Sequence, residues 1–191
     1  TYPTLITSLN FWLPASTFAL SFSIFGIFFI GGPYIAVKVF NLSPTVMGIY
    51  LAFPALGYVL GNILVSRIAN LVSTKNLMVF GSLILVLGPC SSLLLTNFFL
   101  HPLSFFLPIL IMTFGSGIIW PASNAEIVKA IPHLAGSASG LGSAIMTLMS
   151  SFAAFLTGIY IEESNPLDFV CYFLILVGLL SFFSSLCSRS K

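Results

Sequence analysis

With 191 residues, 58% of them hydrophobic and only 5% charged, and a mean hydropathy of +1.13, the chain falls outside the water-soluble class, where about a quarter of residues are charged. Six basic and four acidic residues leave a net charge of +2, which supplies no field suited to nucleic acid and excludes it as a partner. Cys90, Cys171 and Cys187 lie far apart with no C-x-x-C pair, so they read as small apolar core residues, with no metal or other cofactor expected.

Charge at the centre of a membrane helix is costly, so uncharged stretches mark where the chain can cross a bilayer. Residues 1–37, 39–66, 76–125, 130–161 and 169–188 carry none. The third is too long for one helix and divides at Thr96-Asn97 and His101-Pro102. The fold class is therefore all-α, with six predicted transmembrane spans at 14–37, 45–66, 76–97, 103–125, 134–160 and 167–188. Residues 1–13 form a lead-in and 189–191 a tail. No basic segment precedes the first span, and its apolar run from Phe18 to Ala36 exceeds a signal-peptide core. Thr at residue 1 suggests a fragment. Placing both ends in the cytoplasm puts Arg67, Lys75, Lys129, Arg189 and Lys191 inside and only Lys38 outside.

In chain order, Ser21, Phe25 and Phe29 share a face of the first span, which Gly31-Gly32-Pro33 is expected to break. On the second, Tyr50, Pro54, Tyr58 and Asn62 recur every four residues. They either hydrogen-bond to neighbouring helices or face a cavity for polar-aromatic ligands. Gly57 and Gly61 make a short small-residue stripe there. The third and sixth spans are the most apolar and suit lipid. On the fourth, Met112, Ser116, Trp120 and Asn124 repeat every four positions, beside an expected break at Gly115-Ser116-Gly117…Pro121. The fifth carries Gly136, Gly140, Ala144, Thr147, Ser151, Ala154 and Gly158, one small-residue face for close packing within the chain or against another body. Leu42-Ser43-Pro44-Thr45…Gly48 and Leu134-Ala135-Gly136-Ser137…Gly140 open the middle span of each set of three, which suggests a 3+3 inverted repeat.

Gly136-Ser137-Ala138-Ser139-Gly140 also looks like a serine-nucleophile turn, but an intramembrane serine protease needs a base within reach. His101 and His133 both precede these serines, at membrane edges. No carboxylate lies deep in a span: Glu126 sits at the inner end of the fourth beside Lys129, while Glu162, Glu163 and Asp168 fall outside. Buried carboxylates mark proton relays, so a proton-driven carrier would need one from elsewhere.

Leu42-Ser43-Pro44…Gly48, Gly57…Gly61-Asn62…Ser66-Arg67…Lys75…Gly81 resembles the seventh to ninth helices of bicyclomycin-resistance-type (Bcr/CflA) drug:proton antiporters of the major facilitator superfamily. Gly115-Ser116-Gly117…Pro121…Asn124 and Pro132-His133-Leu134-Ala135-Gly136-Ser137-Ala138-Ser139 resemble its tenth helix, inner loop and eleventh helix. The resemblance implies the C-terminal half of a twelve-helix exporter in the bacterial inner membrane. Its partners would be lipid, an N-terminal six-helix half, a drug-like substrate and protons. It further implies that spans one and four line the cavity, two and five meet the other half, and three and six face lipid. Arg67 and Lys75 would belong to the inner gate, whose loop here lacks the acid usual in the family. The alternative is a truncated remnant that inserts and transports nothing.

Overall fold

The computed structural model describes residues 8–130, 132–163 and 165–188. The first seven residues of the predicted lead-in and the tail at 189–191 lie outside them. Among the described residues there is no strand, and six helical segments are long and apolar enough to cross a membrane. They are α1 (Leu9–Lys38), α2 with α3 (Pro44–Leu51 and Phe53–Ile68), α4 (Thr74–Phe98), α5 (Pro102–Ala130), α6 (Ala135–Tyr160) with a short 3-10 turn before it, and α7 (Pro166–Cys187). The first begins at Leu9 rather than 14, because Pro14 lies inside the helix and Phe11 is buried against Ala15, Ile127 and Ala138. Ser73 caps α4 by accepting from the Asn76 N–H, and Asn165 caps α7 ahead of Pro166.

Two expected breaks do not occur. Both α1 and α5 run unbroken through Pro33 and Pro121. Their glycines serve approach instead: a Cβ on Gly31 would stand 2.6 Å from Val170 of α7, and one on Gly115 would meet the Leu85 backbone nitrogen at 2.7 Å. Neighbours cover both helices, 61% of whose most apolar stretch is buried, and shield the carbonyls that proline leaves free. It is the second span that breaks, at Ala52. Pro54 cannot donate to the carbonyl four residues back, and the Ala52 N–H turns to Ile49 O at 3.2 Å. Only 22% of the most apolar stretch of this span is buried within the bundle, against 61% in the first and fourth; the fifth span, equally open but without an internal proline, stays whole.

Packing follows the expected exchange of the two sets of three. The first span packs on the fifth, sixth and fourth; the fourth packs on the second, third and first; the third packs on the sixth. Swapping first with fourth, second with fifth and third with sixth returns the same pairs. Consecutive helices α3 and α4, and α6 and α7, barely touch. The core lies where α1 and α5 meet α4 and α7, through Ile24, Ile27, Phe28, Leu85, Phe105, Phe106, Met112 and Leu174. Of the cysteines only Cys171 is in it; Cys90 and Cys187 are exposed.

Small and hydroxylic residues hold the bundle together, as expected where lipid removes the hydrophobic drive between helices. A Cβ on Gly57 or Gly61 would run into the Leu110 and Phe114 carbonyls of α5, and one on Gly26 of α1 into the Ser150 carbonyl of α6. A hydroxyl seam joins α1 to α7. Ser16 and Ser184 lie 2.7 Å apart, Thr17 donates to Ser184 at 3.0 Å, and the Ser184 hydroxyl donates to Leu13 O at 3.1 Å.

Candidate functional site

The crossing of α3 over α5 positions an aromatic wall. Because Gly117 has no side chain, the Asn62 backbone nitrogen stands only 3.0 Å from where its Cβ would be, and Gly61 Cα is as close. That approach carries Tyr58 against Trp120, with ring centres 4.8 Å apart. From α1, Phe22 lies 4.6 Å, Phe25 5.0 Å and Phe18 6.4 Å from the indole. Phe25 also reaches Tyr58 at 6.4 Å and Phe29 at 5.9 Å. Each such pair contributes about 0.5–1.5 kcal/mol beyond the area it buries. The rings come from the middle of three spans and offer flat, polarisable surface to a planar ligand.

Within this wall the indole Nε1 of Trp120 is buried and has no hydrogen-bond partner, and neither has Ser123 Oγ three residues on, in a residue with no exposed surface. Leaving a buried donor unpaired costs about 1–3 kcal/mol. Most span hydroxyls avoid that cost within their own helix: Ser21 donates to Phe18 O at 2.9 Å, Ser116 to Met112 O at 3.4 Å and Thr113 to Ile109 O at 3.1 Å.

Several expected members stand elsewhere. Ser21 is buried away from the rings and bonded to its own helix. Phe29 is 67% exposed at the edge of the cluster. Tyr50 does not share a face with Tyr58, because the break at Ala52 intervenes; it packs on Phe106 at 5.2 Å. Asn62 donates to Tyr58 O at 2.9 Å. Met112 turns away to α4, where its Cβ stands 2.5 Å from the place a Gly88 Cβ would take. Asn124 is exposed and accepts from Ser139 of α6 at 3.4 Å. Sequence reasoning missed Phe18, Phe22 and Ser123. Steps of four, three and four from Phe18 to Phe29 put all four phenylalanines on one helix face.

The small-residue stripe of α6 is not buried in the chain. Gly136, Gly140, Ala144, Thr147, Ser151 and Gly158 are exposed and Ala154 half-buried; a Cβ on any of the three glycines would meet nothing within 4 Å. Close packing within the chain therefore falls to another face of α6, through Ala138, Gly142, Ala153 and Thr157. At the end carrying the basic residues, a cavity of about 300 Å³ is lined by Asn10, Ser73, Thr74, Glu126, Lys129 and Ser188 among others. The Thr74 hydroxyl donates to Glu126, tying the start of α4 to the end of α5, and Lys129 joins at 3.3 Å. Arg67 and Lys75 flank this loop and pair with nothing among the described residues.

The serine reading gains no support: among the described residues no hydrogen bond joins a histidine to Ser137 or Ser139, since Ser139 donates to Asn124 and His101 accepts from the Leu103 N–H.

A family profile described as Major Facilitator Superfamily matches residues 2–154. The chain belongs to the major facilitator superfamily. Its six apolar helices thus form a multi-pass membrane protein in contact with lipid, of a transporter family rather than a protease. It is also similar to the uncharacterized MFS-type transporter YdgK of Bacillus subtilis (strain 168). The two are 24% identical over 155 residues, which is 80% of this chain and 38% of YdgK. The chain thus spans less than two-fifths of that relative's length.

Proposed function

We propose that this chain forms the C-terminal six-helix half of a Bcr/CflA-type exporter, driven by protons and moving small drug-like molecules by alternating access. The observation that carries the reading is the mid-span ring cluster, where α1, α3 and α5 bring Phe22, Phe25, Tyr58 and Trp120 together. Such rings suit chemically varied planar ligands. The bare stripe on α6 gives a smooth surface on which an N-terminal half would rock. The basic end carrying Arg67, Lys75 and Lys129 faces the cytoplasm of a bacterial inner membrane, by the bias of basic residues to the inside.

Protons need a titrating group, and among the described residues no carboxylate sits deep in a span, so the coupling acid belongs to the other half. That same observation favours a second reading, a remnant that inserts and moves nothing. Drug-susceptibility testing of cells expressing the chain with and without a matching N-terminal half separates the two. Export predicts resistance only when both halves are present, and its reduction by Trp120→Ala. Unchanged susceptibility with both halves folded in the membrane refutes export, and pumping by the purified chain alone under a pH difference refutes the need for a partner.

A further inference from the structure

Trp120 Nε1 and Ser123 Oγ are the buried side-chain polar atoms left without a partner among the described residues. Three positions apart on one helix, they are surface neighbours at about 5–6 Å between Cβ atoms. Ser123 has a backbone carbonyl four residues back, the acceptor that Ser82, Thr96 and Thr157 use in their own helices, and does not take it. Two idle donors on one stretch of α5, beside the ring wall, are a place where an acceptor is missing.

We infer that Trp120, with Ser123 behind it, is the specificity-determining donor of the transport site. It holds its indole N–H for an acceptor oxygen on an uncharged aromatic compound, and so prefers aryl ketones, amides or nitro compounds to hydrocarbons of the same shape. This rests on the exporter reading above and deepens it. The class follows from what surrounds the donor. Phe22, Phe25 and Tyr58 supply flat apolar surface within about 5 Å of the indole. No carboxylate among the described residues lies in the wall to balance an ammonium, and the nearest on α5, Glu126, is engaged by Thr74 and Lys129. Phe29 is exposed and Phe18, Phe22, Phe25 and Tyr58 are half-buried, so the wall lies near the surface of the bundle, and a ligand reaches Nε1 if one of these rings rotates aside.

The test uses the full carrier, both halves together, purified in detergent. Equilibrium binding is measured for two radiolabelled probes matched in shape, 4-butylacetophenone and 1-butyl-4-ethylbenzene. The wild type should favour the ketone about tenfold, as one buried hydrogen bond allows. Trp120→Phe should bring the two probes within about twofold of one another, and Ser123→Ala should narrow the gap less. No preference in the wild type, or a preference that survives Trp120→Phe, overturns the assignment. If Trp120→Phe does not fold, a Trp12→Phe carrier leaves Trp120 as the sole tryptophan of this chain. With the tryptophans of the other half also replaced, its emission should move to longer wavelength with the ketone and stay put with the hydrocarbon; equal responses overturn it. A carrier that confers resistance yet shows no ketone preference keeps the exporter reading and loses this one, whereas absence of any export sinks the exporter reading itself.

Discussion

Gly57 and Gly61 on α3 and Gly136, Gly140 and Gly158 on α6 look alike in sequence, small residues at helical spacing on spans that correspond between the two sets of three. In the fold they part. A side chain added to the first pair would strike the carbonyl oxygens of Leu110 and Phe114, whereas at the other three it would meet nothing within 4 Å. Small-residue spacing says that a helix surface is smooth enough for another backbone to lie on it. Whether one does is settled by how the helices cross: α3 turns its glycines inward to α5, while α6 meets α1 where Ser150 lies on Gly26 and meets α5 where Gly142 lies on Ile127, and leaves its smoother face uncovered.

That contrast sets the scale of substitutions. Gly61→Leu drives a branched side chain into the backbone of α5, which cannot swing aside. It should cost about 3 kcal/mol or more, read as loss of a monodisperse, cooperatively melting species in detergent. A normal melt would mean that α3 and α5 do not cross there. Thr74→Val removes the donor to the part-buried Glu126 and should cost about 1.5–3 kcal/mol, seen as faster proteolysis between residues 69 and 74. Unchanged cleavage would show that this end is held by other contacts. Gly140→Leu should leave the melt of this chain within about 0.5 kcal/mol of wild type while abolishing export by the paired carrier. If it destabilised the chain as much as Gly61→Leu, the distinction between the two stripes would collapse. Smallest of all, Lys129→Ala should shift the melt by less than about 0.5 kcal/mol, because its ammonium side is 64% exposed and the pair with Glu126 is screened by water.

The crossings were legible because lipid penalises charge, so ten charged residues punctuate the chain. Faces were legible only where the step matched the helix. The stripe from Gly136 to Gly158 mixes steps of four and three, a mean of about 3.7, and stays on one side. Met112, Ser116, Trp120 and Asn124 advance by four each time, overshooting a turn by about 40° per step, and end about 120° apart. Hence Met112 packs on α4, Trp120 joins the rings and Asn124 turns outward to Ser139. Breaks were misread for a different reason. Gly31-Gly32-Pro33 and Gly115…Pro121 hold the composition of a break, but both helices, well covered by neighbours, run on through them. Pro54 sits at the open end of a span only 22% of whose most apolar stretch is buried, and there the helix gives way. The unpaired donors of Trp120 and Ser123 had no signature in the sequence at all, since a partner's absence depends on every helix nearby.

The hydroxyl seam between Ser16, Thr17 and Ser184 sets the start of α1 beside the end of α7. Which helix is translated first is then a matter of genetic order rather than of architecture. A circularly permuted gene, opened at residues 99–101 between α4 and α5 and joined across the seam by a short flexible loop, should still assemble the same bundle.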